Sequence, residues 1–196
     1  MNQIRLYVII AAIIFGIIAE FLWRRKHKRK LFDISKAVKI GELLFESKSK
    51  EFEEFVHLFS GNKSEFSIQY ESDFEDMGLT IADVTLLDLL AYFGDNKNEM
   101  LIIDWRGEEN EGEIQAFCEE KLNRIITWSS VNKLRDQTET ITLQKLFELI
   151  NSDLKNIGYQ LIFSNRSNDS YEIFVTTNSN FRTIQSIDKT LFVEKK

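Results

Sequence analysis

The chain has 196 residues, 25 of them basic and 31 acidic, with no proline and one cysteine. A lone cysteine excludes an intrachain disulfide and suits a reducing compartment, and the absence of proline removes polyproline linkers and proline kinks. Residues 1–30 hold seven basic residues and one acidic residue, leaving 18 and 30 for residues 31–196, a net charge of −12 that disfavours nucleic acid as a partner of the body.

The first predicted element lies in "LYVIIAAIIFGIIAEFLWRRKHKRK", residues 6–30. Residues 6–19 carry no charge, and Phe21, Leu22 and Trp23 extend the run to eighteen residues with Glu20 included. At about 1.5 Å per residue this helix is roughly 27 Å long, close to the roughly 30 Å hydrocarbon core of a bilayer. Glu20 stands three residues before Trp23 and four before Arg24, which puts it at the interface, where it can pair with Arg24 and snorkel. Arg24, Arg25, Lys26, Lys28, Arg29 and Lys30 follow and place the C-terminal side in the cytoplasm. Residues 4–23 are therefore expected to cross the inner membrane once. A cleaved signal peptide fits less well because no A-x-A pattern follows the apolar run, and a buried or interfacial helix is the other alternative.

The body, residues 31–196, is long enough for one core. Residues 32–47 and 49–60 read as helices, the second with Phe52, Phe55, Val56 and Phe59 on one face. Phe66, Ile68 and Tyr70 alternate with polar residues and predict a short strand. Thr80 with Asp83 resembles a cap opening a helix through Phe93, ended by Gly94. "MLIIDW" predicts a strand buried on both faces. Asn110 can cap the next helix, whose stripe of Ile114, Phe117, Cys118, Leu122 and Ile125 turns the thiol inward as a structural group. Residues 128–141 read as irregular. Thr142 then opens a strongly amphipathic helix with Leu143, Leu146, Phe147, Ile150, Leu154 and Ile157 on one face and Gly158 as its stop. "YQLIFS" and "SYEIFVTT" form a hairpin across "NRSND". The sum is an α+β class: an N-terminal transmembrane helix, then one mixed or antiparallel sheet of about four strands packed with helices.

Motifs for catalysis are sparse. His27 and His57 are the only histidines, which leaves almost no material for a catalytic triad or a histidine-rich metal site, and no metal ligands or cofactor are assigned. Gly107 and Gly112 have P-loop spacing, but Glu113 stands where the phosphate-binding lysine belongs. Two constellations remain as candidate binding residues. One is Asp104, Trp105 and Arg106 at a strand end, followed by Glu108; the other is Asp169 to Tyr171 at the hairpin. The structural alternative makes Asp104 a backbone acceptor, Trp105 a packed ring, the glutamates complements of a helix N-terminus, and Tyr171 a cross-strand residue.

Those stretches also carry a resemblance. "LLDLLAYFGDNKNEMLIIDWRGEE" and "LINSDLKNIGYQLIFSNRSNDSYEIFVTT" are similar to a family of bacterial domains of unknown function, in which a helix leads into an L-x-D-W-K strand and a late helix into G-Y-x-L and D-S-Y strands. The similarity covers roughly residues 50–188, with Arg106 in place of the usual lysine and the membrane anchor as an addition. Over about twenty residues the chain also resembles barstar, the acidic ribonuclease inhibitor, where a helix precedes an apolar strand ending in Glu-Trp-Arg. The Y-G-x-N-x-D-A-L segment of that family is absent, since "GLTIADVTLLDLL" lacks its tyrosine and asparagine. The resemblance implies an acidic partner-binding module. The expected function is a membrane-anchored, non-enzymatic interaction module with a basic protein partner; the alternative is a tethered hydrolase using carboxylates such as Asp104 and Glu108, with or without Mg²⁺.

Overall fold

A computed structural model describes residues 32–108, 110–135, 142–166 and 169–194. The expected membrane span at residues 4–23, with its interfacial Glu20, Trp23, Arg24, Arg25 and Lys26, lies outside them. Among the described residues no helix is long and apolar enough to cross a membrane. Asp33–Lys196 forms one compact unit.

Within it the helices are α1 (Ile34–Phe45), α2 (Ser49–Gly61), α3 (Lys63–Asp76), α4 (Leu86–Asn96), α5 (Glu113–Leu122), α6 (Ser129–Arg135), α7 (Leu143–Lys155) and α8 (Asn178–Ile187). The strands are β1 (Leu101–Asp104), β2 (Tyr159–Ser164), β3 (Ser170–Thr177) and β4 (Phe192–Val193). They form a single sheet in the order β1-β3-β2-β4, and every neighbouring pair is antiparallel. The α+β class is thus realised in its antiparallel form.

Side chains alternate across the sheet, so each face carries its own core. On one face Ile103, Leu161, Phe163, Ile173 and Val175 pack with Ile114 and Cys118 of α5, Val131 of α6, and Leu146, Phe147, Ile150 and Leu154 of α7. On the other, Phe174 of β3 and Phe192 of β4 meet edge to face at 5.3 Å, and Phe174 leads on to Phe45 of α1 at 6.4 Å. Phe45 in turn stands 4.9 Å from both Phe52 of α2 and Phe93 of α4. The aromatic chain continues through Phe55 and Phe66 to Phe74 of α3. The phenylalanine stripe predicted for α2 is core, as its spacing implies.

Five readings are corrected. Residues 63–76 are helix α3, not a strand: Asn62 caps it by accepting from Glu65 N, and Phe66 and Phe74 are buried while Ile68, which a strand would put on the same face, is exposed. Thr80 does bond Asp83, but in a turn; α4 starts at Leu86 under a capping box of Thr85 and Asp88, and it runs past Gly94 to Asn96. Gly94 serves packing instead, since a Cβ there would lie 2.9 Å from Met100 Cβ and 3.0 Å from the Phe174 ring. β1 is an edge strand with Ile102 47% exposed, so it is not buried on both faces. Ile125 likewise lies beyond the end of α5 and is exposed. Ser129–Arg135 is helix α6, not irregular chain, and α8 and β4 answer to no predicted element.

Candidate functional site

The end of β1 and the start of β3 bring the two sequence constellations together. Asp104 stands opposite Ser170 in the register, and Trp105 N donates to Asp169 O at 3.2 Å. The juxtaposition is made by backbone. Tyr171 turns to the opposite face from Asp104, where its ring lies 5.2 Å from Phe147 and 6.3 Å from Phe163.

Asp104 closes a tight local ion pair. Its Oδ1 accepts from Arg106 N at 2.8 Å and Arg106 Nε at 2.9 Å, and its Oδ2 accepts from Arg106 Nη2 at 3.1 Å. Arg106, by its side chain and then its backbone, holds the Asp104 carboxyl down at about 2. Glu108 accepts from Gly112 N at 3.3 Å and Ile114 N at 2.9 Å, so its carboxylate satisfies the first amides of α5. Asn110 contributes its carbonyl to Glu113 N. Gly112, at φ +90°, makes the left-handed step into that helix. Trp105, by contrast, does not pack: it is 63% exposed. Among the described residues no three His, Cys, Asp or Glu side chains are arranged to hold a metal ion.

A groove of about 500 Å³ opens between the start of β1 and the N-terminal half of α5. Met100 and Leu101 form one wall, Phe117 part of the other, and Glu111, Glu113 and Glu120 give it an acidic rim. Lys121 also reaches it, but pairs with Glu99, a carboxylate only 5% exposed that is bridged to Lys48 as well. Burial lowers the Lys121 pKa from its usual value.

Two charged arrangements were not foreseen. Glu99, Lys48 and Lys121 anchor the approach to β1. Arg166, in the β2–β3 loop, donates to Asp88 of α4 at 2.6 Å and to Glu172 of β3 at 3.0 Å. The partners lie 78 and 6 residues away, so the longer link left no local signal. Cys118 is buried as expected, and burial raises its thiol pKa well above the usual range. An inward structural thiol has that environment.

A family described as a domain of unknown function (DUF6630) matches residues 36–194. The chain belongs to that family. The family domain runs from α1 to β4 and so takes in the complete sheet and both cores, a wider span than the roughly 50–188 of the resemblance. No curated protein and no solved structure matches the chain.

Proposed function

We propose that this protein is a membrane-tethered, non-enzymatic interaction module whose acidic domain meets a basic protein partner in the cytoplasm, an immunity or accessory role being one version. The observation that carries the reading is charge segregation. In residues 1–30 seven basic residues flank an apolar run, while residues 31–196 carry a net charge of −12. A basic collar attracts anionic headgroups and an acidic body steers basic proteins toward itself. The local likeness to barstar supports the same reading, as does the exposure of Trp105 and Ile102, because interfaces favour aromatic anchors.

The hydrolase alternative draws less support. It needs carboxylates that converge on one point, whereas Asp104 is engaged by Arg106 and Glu108 by the amides of α5.

Fractionation of cells carrying a C-terminal tag, with protease added to spheroplasts and to inverted vesicles, tests the tether. The expected result is a membrane-bound tag, shielded in spheroplasts and digested in inverted vesicles. A soluble, shortened product outside the cytoplasm would overturn the localisation. Affinity capture on the full chain should recover a basic protein that elutes as salt is raised. Recovery of nothing salt-sensitive would overturn the partner class.

A further inference from the structure

We propose that the outer edge of β1 is a strand-addition site, which takes a short, extended, lysine- or arginine-bearing segment of a partner protein into the sheet beside the acidic groove. The proposal rests on the interaction reading above and specifies how the partner binds.

The bonding phase of β1 follows from the bond between Trp105 N and Asp169 O. In an antiparallel pair the residues alternate between facing the partner strand and facing away. Residues 101, 103 and 105 therefore spend their backbone groups on β3, and 100, 102 and 104 turn theirs outward. Met100 N is taken by Gly94 O, and Asp104 O by Gly107 N. What faces outward is then Met100 O and both backbone groups of Ile102, since Asp104 is bridged to Gly107 and the turn after β1 occupies that end of the edge.

Edge strands are ordinarily blunted by proline, bulges, inward-pointing charge or a covering element. β1 is short and the turn through Gly107 covers it at Asp104, but it has no proline, pairs with β3 in unbroken register and presents an exposed isoleucine at position 102. Beside the edge lies the groove, whose apolar walls of Leu101 and Phe117 are rimmed by Glu111, Glu113 and Glu120, while its one lysine is paired with Glu99. An added strand alternates its side chains. One set would enter the groove, where charge complementarity selects lysine or arginine; the other would lie over Ile102. Backbone pairing supplies affinity and the groove supplies selection, as in other strand-addition complexes.

The test uses the full chain in mild detergent. The probe is a fluorescent peptide of about eight residues, a length that spans roughly 26 Å when extended. It alternates lysine with valine or threonine, and its controls are a glutamate counterpart and a version N-methylated throughout. Anisotropy should show saturable binding of the lysine peptide only. Hydrogen exchange at the Ile102 amide should slow on binding. Ile102→Pro removes an outward N–H that β3 does not use, and edge positions of this kind tolerate proline; it should weaken binding by at least about tenfold, the loss of one or two net hydrogen bonds. Glu113→Lys with Glu120→Lys should weaken it at least as much.

Equal binding of the N-methylated peptide would overturn strand addition while leaving an acidic interaction surface in place. If Ile102→Pro fails to fold, the N-methyl comparison on the unaltered chain decides. Absence of any binding by the lysine peptide would also overturn the proposal, whereas the interaction reading would still be judged by salt-sensitive capture of a whole protein.

Discussion

Gly41 sits where α1 crosses α2, and a Cβ there would lie 2.1 Å from Phe52 Cδ1. Alanine is the better helix former by about 1 kcal/mol, yet overpacking costs about 1–3 kcal/mol, and the clash is with a fully buried ring. Gly41→Ala should therefore lower the denaturant midpoint despite its helix propensity. Gly61→Ala, with open space at its Cβ, should leave the midpoint nearly unchanged. Asp188 offers a pH-dependent test. Partial burial would raise its carboxyl, but hydrogen bonds from Lys36 and Thr190 outweigh it and hold the group at about 2, below its ordinary 3.8. A depressed folded value contributes stability that is complete above the ordinary value and is lost as pH falls toward the folded one. Urea midpoints of the parent and Asp188→Asn should differ by a constant amount above about pH 5 and converge toward pH 2. A gap that stayed constant down to pH 2 would remove Lys36 and Thr190 as the cause.

Arg166 ties three elements through one guanidinium: the β2–β3 loop that carries it, α4 through Asp88, and β3 through Glu172. Removing the cation from two largely buried carboxylates costs about 3 kcal/mol or more, since burial of an unpaired charge is the expensive case. Arg166→Met should show that loss in equilibrium unfolding, and Arg166→Lys should recover part of it, because an ammonium keeps the charge but not the two-pronged geometry. Element by element, local patterns were legible wherever the chain's own periodicity decides the outcome. α7, β2 and β3 fell where their stripes and turn residues put them. Residues 66–70 misled because Phe66, Ile68 and Tyr70 satisfy a strand's alternation while Ile68, 84% exposed, is the odd one out on a helix. The apolar run at β1 misled for a related reason: such a run signals burial on both faces, but Ile102 lies at an open sheet edge, and edge position is a tertiary fact. For the candidate site, Asp104 and Asp169 could be picked out singly, but their meeting depends on β1 pairing with a strand some seventy residues later. Arg106 as the close partner of Asp104 was two residues away and readable in outline.

For the molecule as a whole, the order β1-β3-β2-β4 puts the two central strands in one hairpin and leaves β1 and β4 to join from either side. Strands β2, β3 and β4 all fall after residue 158, so a chain ending at Lys155 retains the helices α1 to α7 but only one strand. Such a truncation should keep part of the helical far-ultraviolet signal and lose the cooperative unfolding transition, because both cores need the sheet between them. A sharp transition in that fragment would mean the helices form a core without it. The same layout has a consequence in time. The rings of α1, α2 and α4 leave the ribosome well before Phe174, which meets Phe45, and Phe192, which meets Phe174. At 5–20 residues per second the interval between Phe59 and Phe192 is roughly ten seconds. During that interval Phe45 and the rings it joins lack the strand residue that closes over them in the finished sheet, so the emerging chain exposes aromatic surface that the folded protein covers.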